Sequence, residues 1–232
     1  MEDKTRNLFI LSAFGIFTIL IWQVPGGFYI LYPFTILGTW FHEMGHGITA
    51  LLLGGNFQYL DIYSNGSGLA VHSGSLYLGN FGRAMVAAGG PFGPTIAGAL
   101  IIASTKKESI AKYILPSFGI ILLLSVIMYV RPVFGILFIS LFGILILYIS
   151  FKTEIKWKLL SLQLLGIQAC LSVYMNIGYL FSKGANIGGN QYVSDTGVME
   201  NALLLPHWFW GIIIIIFSIF LIFKSFKYVF SE

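Results

Sequence analysis

The chain alternates long apolar runs with short polar breaks, and the runs have the length of membrane crossings. About 30 Å of hydrocarbon takes roughly 20 helical residues to span. Runs of that size predict helices near 7–24, 28–53, 82–104, 113–130, 132–151, 157–182 and 207–230. Arg131-Pro132 allows only a tight turn between two of these runs, or a kink in one long helix, so the pattern gives six or seven spans. The first run follows Glu2-Asp3-Lys4-Thr5-Arg6, lacks a small-residue cleavage site and leads through Pro25-Gly26-Gly27 into another apolar run. A retained helix is expected there rather than a cleaved leader. The fold class is an all-α polytopic membrane protein, a bundle of six or seven transmembrane helices in one membrane-embedded domain over 1–232.

Three segments depart from that pattern. Gly54-Gly55 closes the second helix, and aromatic and β-branched runs at Phe57–Tyr63 and Leu69–Ser73 then flank Ser64-Asn65-Gly66-Ser67-Gly68. That arrangement predicts a short β-hairpin over 56–75, lying in water or docked over the bundle so that its backbone groups are paired. Gly89-Gly90-Pro91-Phe92-Gly93-Pro94 falls inside the third run, where two prolines remove backbone donors. The helix is expected to bend or unwind there, with its glycines against a neighbour. The third segment, 183–206, is polar and rich in glycine and reads as an interhelical segment.

Composition agrees with a membrane solvent. Apolar residues of the AVILMFWYC set make up 57% of the chain and charged residues 9%, against about 25% charged in an ordinary soluble domain. The net charge of +4 comes from dispersed lysines and arginines, with no basic patch interleaved with aromatics, so no nucleic-acid partner is expected. The single cysteine, Cys170, permits no intramolecular disulfide and reads as a small buried hydrophobe. These features describe an integral multi-pass protein, placed in the cell (plasma) membrane with the lipid bilayer as its first partner.

The candidate chemistry is His42-Glu43-Met44-Gly45-His46, inside the 28–53 run. Residues four apart share a helix face, so both imidazoles can meet one divalent ion with Glu43 beside it. With four histidines and six glutamates in 232 residues, chance gives this pattern roughly 0.002 times per chain. An ionisable side chain at mid-helix in hydrocarbon costs at least about 2.5 kcal/mol on insertion scales, and three occur here within two turns. Packing alone does not account for them. The motif reads as a hydrolytic site for one Zn2+, with His42 and His46 as ligands and Glu43 as general base, then acid, toward a zinc-activated water. A catalytic zinc usually takes three protein ligands, and the residues available for the third place are Asp61, His72, Asp195, Glu200 and His207.

His42-Glu43-Met44-Gly45-His46-Gly47, then Gly54-Gly55, then Gly89-Gly90-Pro91-Phe92-Gly93-Pro94-Thr95-Ile96-Ala97-Gly98-Ala99, resembles the M50B-like branch of the site-2 protease superfamily. The likeness is close over about 25–105 and looser over 190–210, where Ser194-Asp195-Thr196 stands for the family's Ser-Asp-Ala-like stretch before the final helix. Better-studied site-2 proteases carry an Asp-Gly step in a late helix instead. The resemblance implies a zinc-dependent metallopeptidase that cuts a membrane-protein or membrane-anchored substrate within or beside the bilayer. It ranks Asp195 first as third ligand, with His72 or Asp61 of the hairpin as alternatives. Two other uses of such a bundle are a non-proteolytic binding or chaperone protein, which has no need of Glu43, and a metal or ion transporter, for which an internal repeat is expected and none is visible.

Overall fold

A computed structural model describes residues 2–231, with side chains from residue 9 to residue 231. Helix α1 (Glu2–Gln23) turns at Gly26, which takes φ +84°, into α2 (Gly27–Leu52), the helix of the histidine motif. Strands β1 (Asn56–Ile62) and β2 (Gly68–Ser73) follow, then α3 (Gly79–Ser104) and α4 (Glu108–Met128). A two-residue strand β3 (Val130–Arg131) separates α4 from α5 (Val133–Lys152), and α6 (Ile155–Met175) leads into the single turn α7 (Ile177–Leu180). The chain closes with β4 (Gly184–Ile187), β5 (Asn190–Val193), α8 (Asp195–Leu203) and α9 (His207–Phe230).

Five of these helices, α3, α4, α5, α6 and α9, are long and apolar enough to cross a membrane. The apolar part described in α1, Phe9–Gln23, is shorter, and α2 lies outside the set because its two histidines, glutamate and glycines dilute an otherwise apolar sequence. Helix α3 runs through the centre and packs on α2, α6, α8 and α9. It is helical from Gly79 to Ser104, so the unwinding that the sequence allows at Gly89–Pro94, as an alternative to a bend, does not occur. The glycines of that stretch serve close packing instead. A Cβ at Gly45 of α2 would overlap the Gly89 carbonyl oxygen, and one at Gly93 would lie 2.7 Å from that of Phe41. Backbone therefore meets backbone along the α2–α3 crossing, and four neighbouring helices pack on α3 along the stretch that contains the two prolines. Gly98 and Gly166 make a similar approach between α3 and α6.

The aromatic and β-branched runs after α2 form the hairpin β1–β2, antiparallel with Ile62 opposite Gly68. Strand β3 pairs parallel to β1 through Leu60–Val130 and Asp61–Arg131, which fixes α4 and α5 as separate helices and makes a sheet of order β2-β1-β3. The hairpin is fastened along α2. Tyr32 donates to Ser64 O at 2.6 Å, Thr39 donates to Gly66 O at 2.6 Å, and Phe57 lies against Gly47 while stacking on Tyr129 at 4.3 Å. Below it the main core gathers Ile36, Trp40, Phe41, Leu60, Phe118 and Leu162. The buried Trp40 indole N–H is satisfied by Ser125 Oγ at 2.8 Å.

The polar segment over 183–206 is more structured than its sequence suggests, since it holds the second hairpin, β4–β5, and helix α8. Ser194 caps α8 by accepting from the Gly197 N–H at 3.1 Å, the usual role of a serine at a helix start. Its hydroxyl also reaches Ser182 O, and its N–H donates to Lys183 O at 3.0 Å.

The backbone contact between α2 and α3 gives a direct test. Gly45→Ala places its methyl on a carbonyl oxygen and is expected to lower stability by about 1–3 kcal/mol. Gly15→Ala, in a helical position with nothing within 4 Å of the new methyl, is expected to be neutral or mildly stabilising. Thermal unfolding of both variants in detergent checks this, and equal melting of Gly45→Ala and wild type would contradict it.

Candidate metal centre

Two helices bring three side chains that could hold a metal ion to one point. His42 and His46 project from the same face of α2, and Asp195 is the first residue of α8. His42 Nε2 lies 3.0 Å from Asp195 Oδ2, His46 Nε2 lies 3.2 Å from Asp195 Oδ1, and the two Nε2 atoms are 3.2 Å apart. Among the described residues, these ligand atoms are the group of three or more that lies within 4.8 Å, close enough to hold one ion. Helix α3 forms the wall behind them. A Cβ at Gly90 would overlap His46 Nε2 and stand 2.7 Å from His42 Nε2, so only glycine leaves both imidazoles in place.

The hydrogen bonding around this point calls for a cation. His46 Nδ1 is 2.7 Å from Val86 O. A carbonyl only accepts, so Nδ1 carries the proton and, in the neutral ring, Nε2 presents a lone pair. That lone pair faces a second imidazole nitrogen and a carboxylate, both acceptors. A proton on an imidazole would relieve this only in part, because buried Asp195 Oδ2 has no hydrogen-bond partner of acceptable geometry although His42 Nε2 is near it. A metal ion among the three satisfies every atom, and a set of two imidazoles and a carboxylate suits zinc. Val86 O is then the second partner of the His46 ring, of the kind that fixes ring orientation at metal sites.

Glu43 sits beside the ligands and is 5% exposed. Strand β2 covers it so closely that a Cβ at Gly68 would be 2.8 Å from Glu43 Oε1. Its carboxylate and the ligand atoms face a cavity of about 790 Å³. Both hairpins contribute to the cavity wall, and their loops touch: the Gly188 N–H donates to Ser67 Oγ at 3.2 Å, and Gly188 packs on the Tyr63 ring.

Of the remaining candidates for the third ligand, Asp61, Glu200 and His207 have other partners. Asp61 accepts from the Tyr63 hydroxyl at 3.1 Å. Glu200 accepts from Lys183 Nζ at 2.7 Å and from the N–H and Nδ1 of His207 at 2.9 Å each, and the lysine bond foremost draws its carboxyl down to about 2. His72 is in the cavity wall, outside the group of three, and its partial burial lowers its pKa. Sequence reasoning missed Tyr179, whose hydroxyl accepts from the Asp195 N–H at 3.1 Å and whose ring lies 6.1 Å from that of His42. It also missed Val86, because a backbone carbonyl leaves no chemical signature in a sequence, and it read Gly90 only as a packing glycine.

The family of the chain agrees with this fold and site. The model of the Peptidase M50B-like family matches residues 10–225, nearly the whole chain, and the chain belongs to that family. No curated protein and no solved structure matches it. The family and the five apolar helices together support an integral membrane protein of the site-2 protease superfamily.

Zinc bound per purified molecule discriminates among the ligands. Asp195→Ala is expected to lose most of its zinc, as is Gly90→Ala, whereas His72→Ala and Asp61→Ala are expected to keep it. Full zinc in Asp195→Ala together with loss in either hairpin variant would reassign the third ligand.

Proposed function

We propose that the chain is a zinc-dependent peptidase that hydrolyses a peptide bond of a membrane-protein or membrane-anchored substrate, within or beside the bilayer of the cell membrane. One observation carries the reading: three acceptor groups, His42 Nε2, His46 Nε2 and the Asp195 carboxylate, converge within 4.8 Å beside a buried carboxylate that is not one of them. A structural metal site has no use for that fourth group. A hydrolytic one does.

The ion would be held by His42, His46 and Asp195. Bound zinc of this type keeps a coordination position open, lowers the pKa of water to about 7 and polarises a carbonyl. The chain's own residues supply the rest. Val86 O holds the His46 ring, and the bond from the Asp195 N–H to Tyr179 positions the start of α8. Glu43 takes the proton of the attacking water and delivers it to the amine that leaves, as base and then acid. Strand β2 covers one side of Glu43, and its carboxylate faces the cavity that a substrate would enter. The two hairpins and the α2–α3 wall border a cavity of about 790 Å³, and helix unwinding near the site would expose a bond of a transmembrane substrate to it.

Glu43→Gln preserves shape and removes the proton acceptor. It is expected to retain zinc while losing at least about a hundredfold in hydrolysis of a membrane peptide, the low end of the general-base contribution. Wild-type turnover by Glu43→Gln would show that Glu43 is not the base.

A further inference from the structure

The cavity has a charge pattern that the hydrolytic chemistry leaves unexplained. Its wall contains two carboxylates, Glu43 and Asp195, and a single Lys or Arg, Arg83. Arg83 is exposed, and among the described residues it makes no ion pair and no side-chain hydrogen bond. The other acid on α8, Glu200, is occupied by Lys183 and His207. Arg83 also borders a second, smaller cavity of about 140 Å³, shared with Asn201 and walled by Val193, Val198 and Ala202. Arg83 and Asn201, both exposed, are thus the two polar residues of a small recess whose other lining residues are apolar and which shares Arg83, Val193 and Val198 with the main cavity.

The position of the recess relative to the metal centre follows from helix geometry. Arg83, Val86, Ala87, Pro91 and Pro94 all line the cavity along one face of α3, and Gly90 on the same helix abuts both imidazoles. Seven residues separate Arg83 from Gly90, about 10.5 Å at 1.5 Å per residue. An extended peptide advances about 3.3 Å per residue, so for a peptide lying along α3 Arg83 stands about three residues from a bond held at the metal centre. With a divalent ion held there, the charges of Glu43 and Asp195 are offset, which leaves Arg83 as the uncompensated charge of the wall. At the recess a carboxylate on the peptide would meet a planar fork of N–H donors that matches its two oxygens, with Asn201 as a further donor.

From this geometry we propose that Arg83, Asn201 and the recess between them form a subsite for an acidic side chain of the peptide substrate, about three residues from the bond that is cut. The inference rests on the peptidase reading of the cavity and narrows its substrates to segments carrying Asp or Glu at that spacing. Recognition at this distance leaves the reacting groups untouched and fixes the register of the chain across them.

Binding and hydrolysis test the two readings separately. A short apolar fluorescent peptide in which a single Glu is walked along the chain, with Gln at the same positions as control, is titrated against zinc-loaded Glu43→Gln protein in detergent. One position is expected to favour Glu over Gln by about tenfold or more, as for a hydrogen-bonded charge pair. Adding Arg83→Gln is expected to bring that ratio near one, Arg83→Lys to leave it intermediate, and Arg83→Glu to shift preference to a Lys at the same position. A Glu-to-Gln ratio equal in the presence and absence of Arg83, or no preferred position at all, overturns the subsite. If an Arg83-dependent preference is measured but protein with Glu43 intact cuts no peptide of the series, the subsite stands and the peptidase reading falls. Hydrolysis without any such preference leaves the peptidase reading in place and removes the subsite.

Discussion

The approach of α2 to α3 at Gly45, Gly89 and Gly93 is the constraint on which the rest of the site depends. With no Cβ between them, the two backbones come close enough for Val86 O to reach His46 and for Gly90 to back both imidazoles. Any side chain at these positions would push the helices apart, and the His46 ring would lose the partner that sets its tautomer. In lipid, where apolar burial gives little reason for one helix to prefer another, such close backbone packing is a main source of association. The same glycines that hold the bundle together therefore also set the direction of the ligands. Gly98 and Gly166 extend this arrangement to α6, and Gly38 brings α2 to Ser172 of the same helix.

The third side of the candidate metal centre is built differently. Asp195 is delivered by a short helix held by polar contacts: the Ser194 cap, the Ser194–Ser182 and Ser194–Lys183 bonds and the Tyr179 hydroxyl at its own N–H. Polar anchoring fits a carboxylate that must be aimed and also reached by solvent and substrate. It also ties the site to both hairpins, since β5 runs directly into Ser194 and the β4–β5 turn touches the loop of β1–β2 through Gly188 and Ser67. Movement of those loops would alter the cavity mouth and the seat of Asp195 together.

Much of this is legible in the residues. His42, Glu43 and His46 follow from a spacing that only a helix converts into one face, and the apolar runs mark the helices because membrane crossing demands a minimum length. The Asn65-Gly66 turn between aromatic and β-branched runs signals a hairpin, which the fold contains as β1–β2. The prolines at 91 and 94 do not unwind the helix, because proline propensity speaks of an isolated helix and α3 is supported by four neighbours. The 183–206 segment is opaque for another reason. Its strands are four residues each and α8 is nine, lengths too short for periodicity to register, and their order comes from contacts with α3, α9 and the first hairpin. Asp195 can be singled out only by likeness to a family, because nothing in its neighbours says which helix face it will meet.

X-ray absorption at the zinc edge of the purified protein tests the central claim most directly, because it reads the donor atoms without requiring a substrate. One ion held by His42, His46 and Asp195 is expected to show two imidazole nitrogens at about 2.0–2.1 Å with the remaining donors oxygen and no sulfur. The chain's one thiol, Cys170, is buried against Thr95 O and away from the histidines. A sulfur shell at about 2.3 Å, a single imidazole, or protein that binds no zinc would contradict the account.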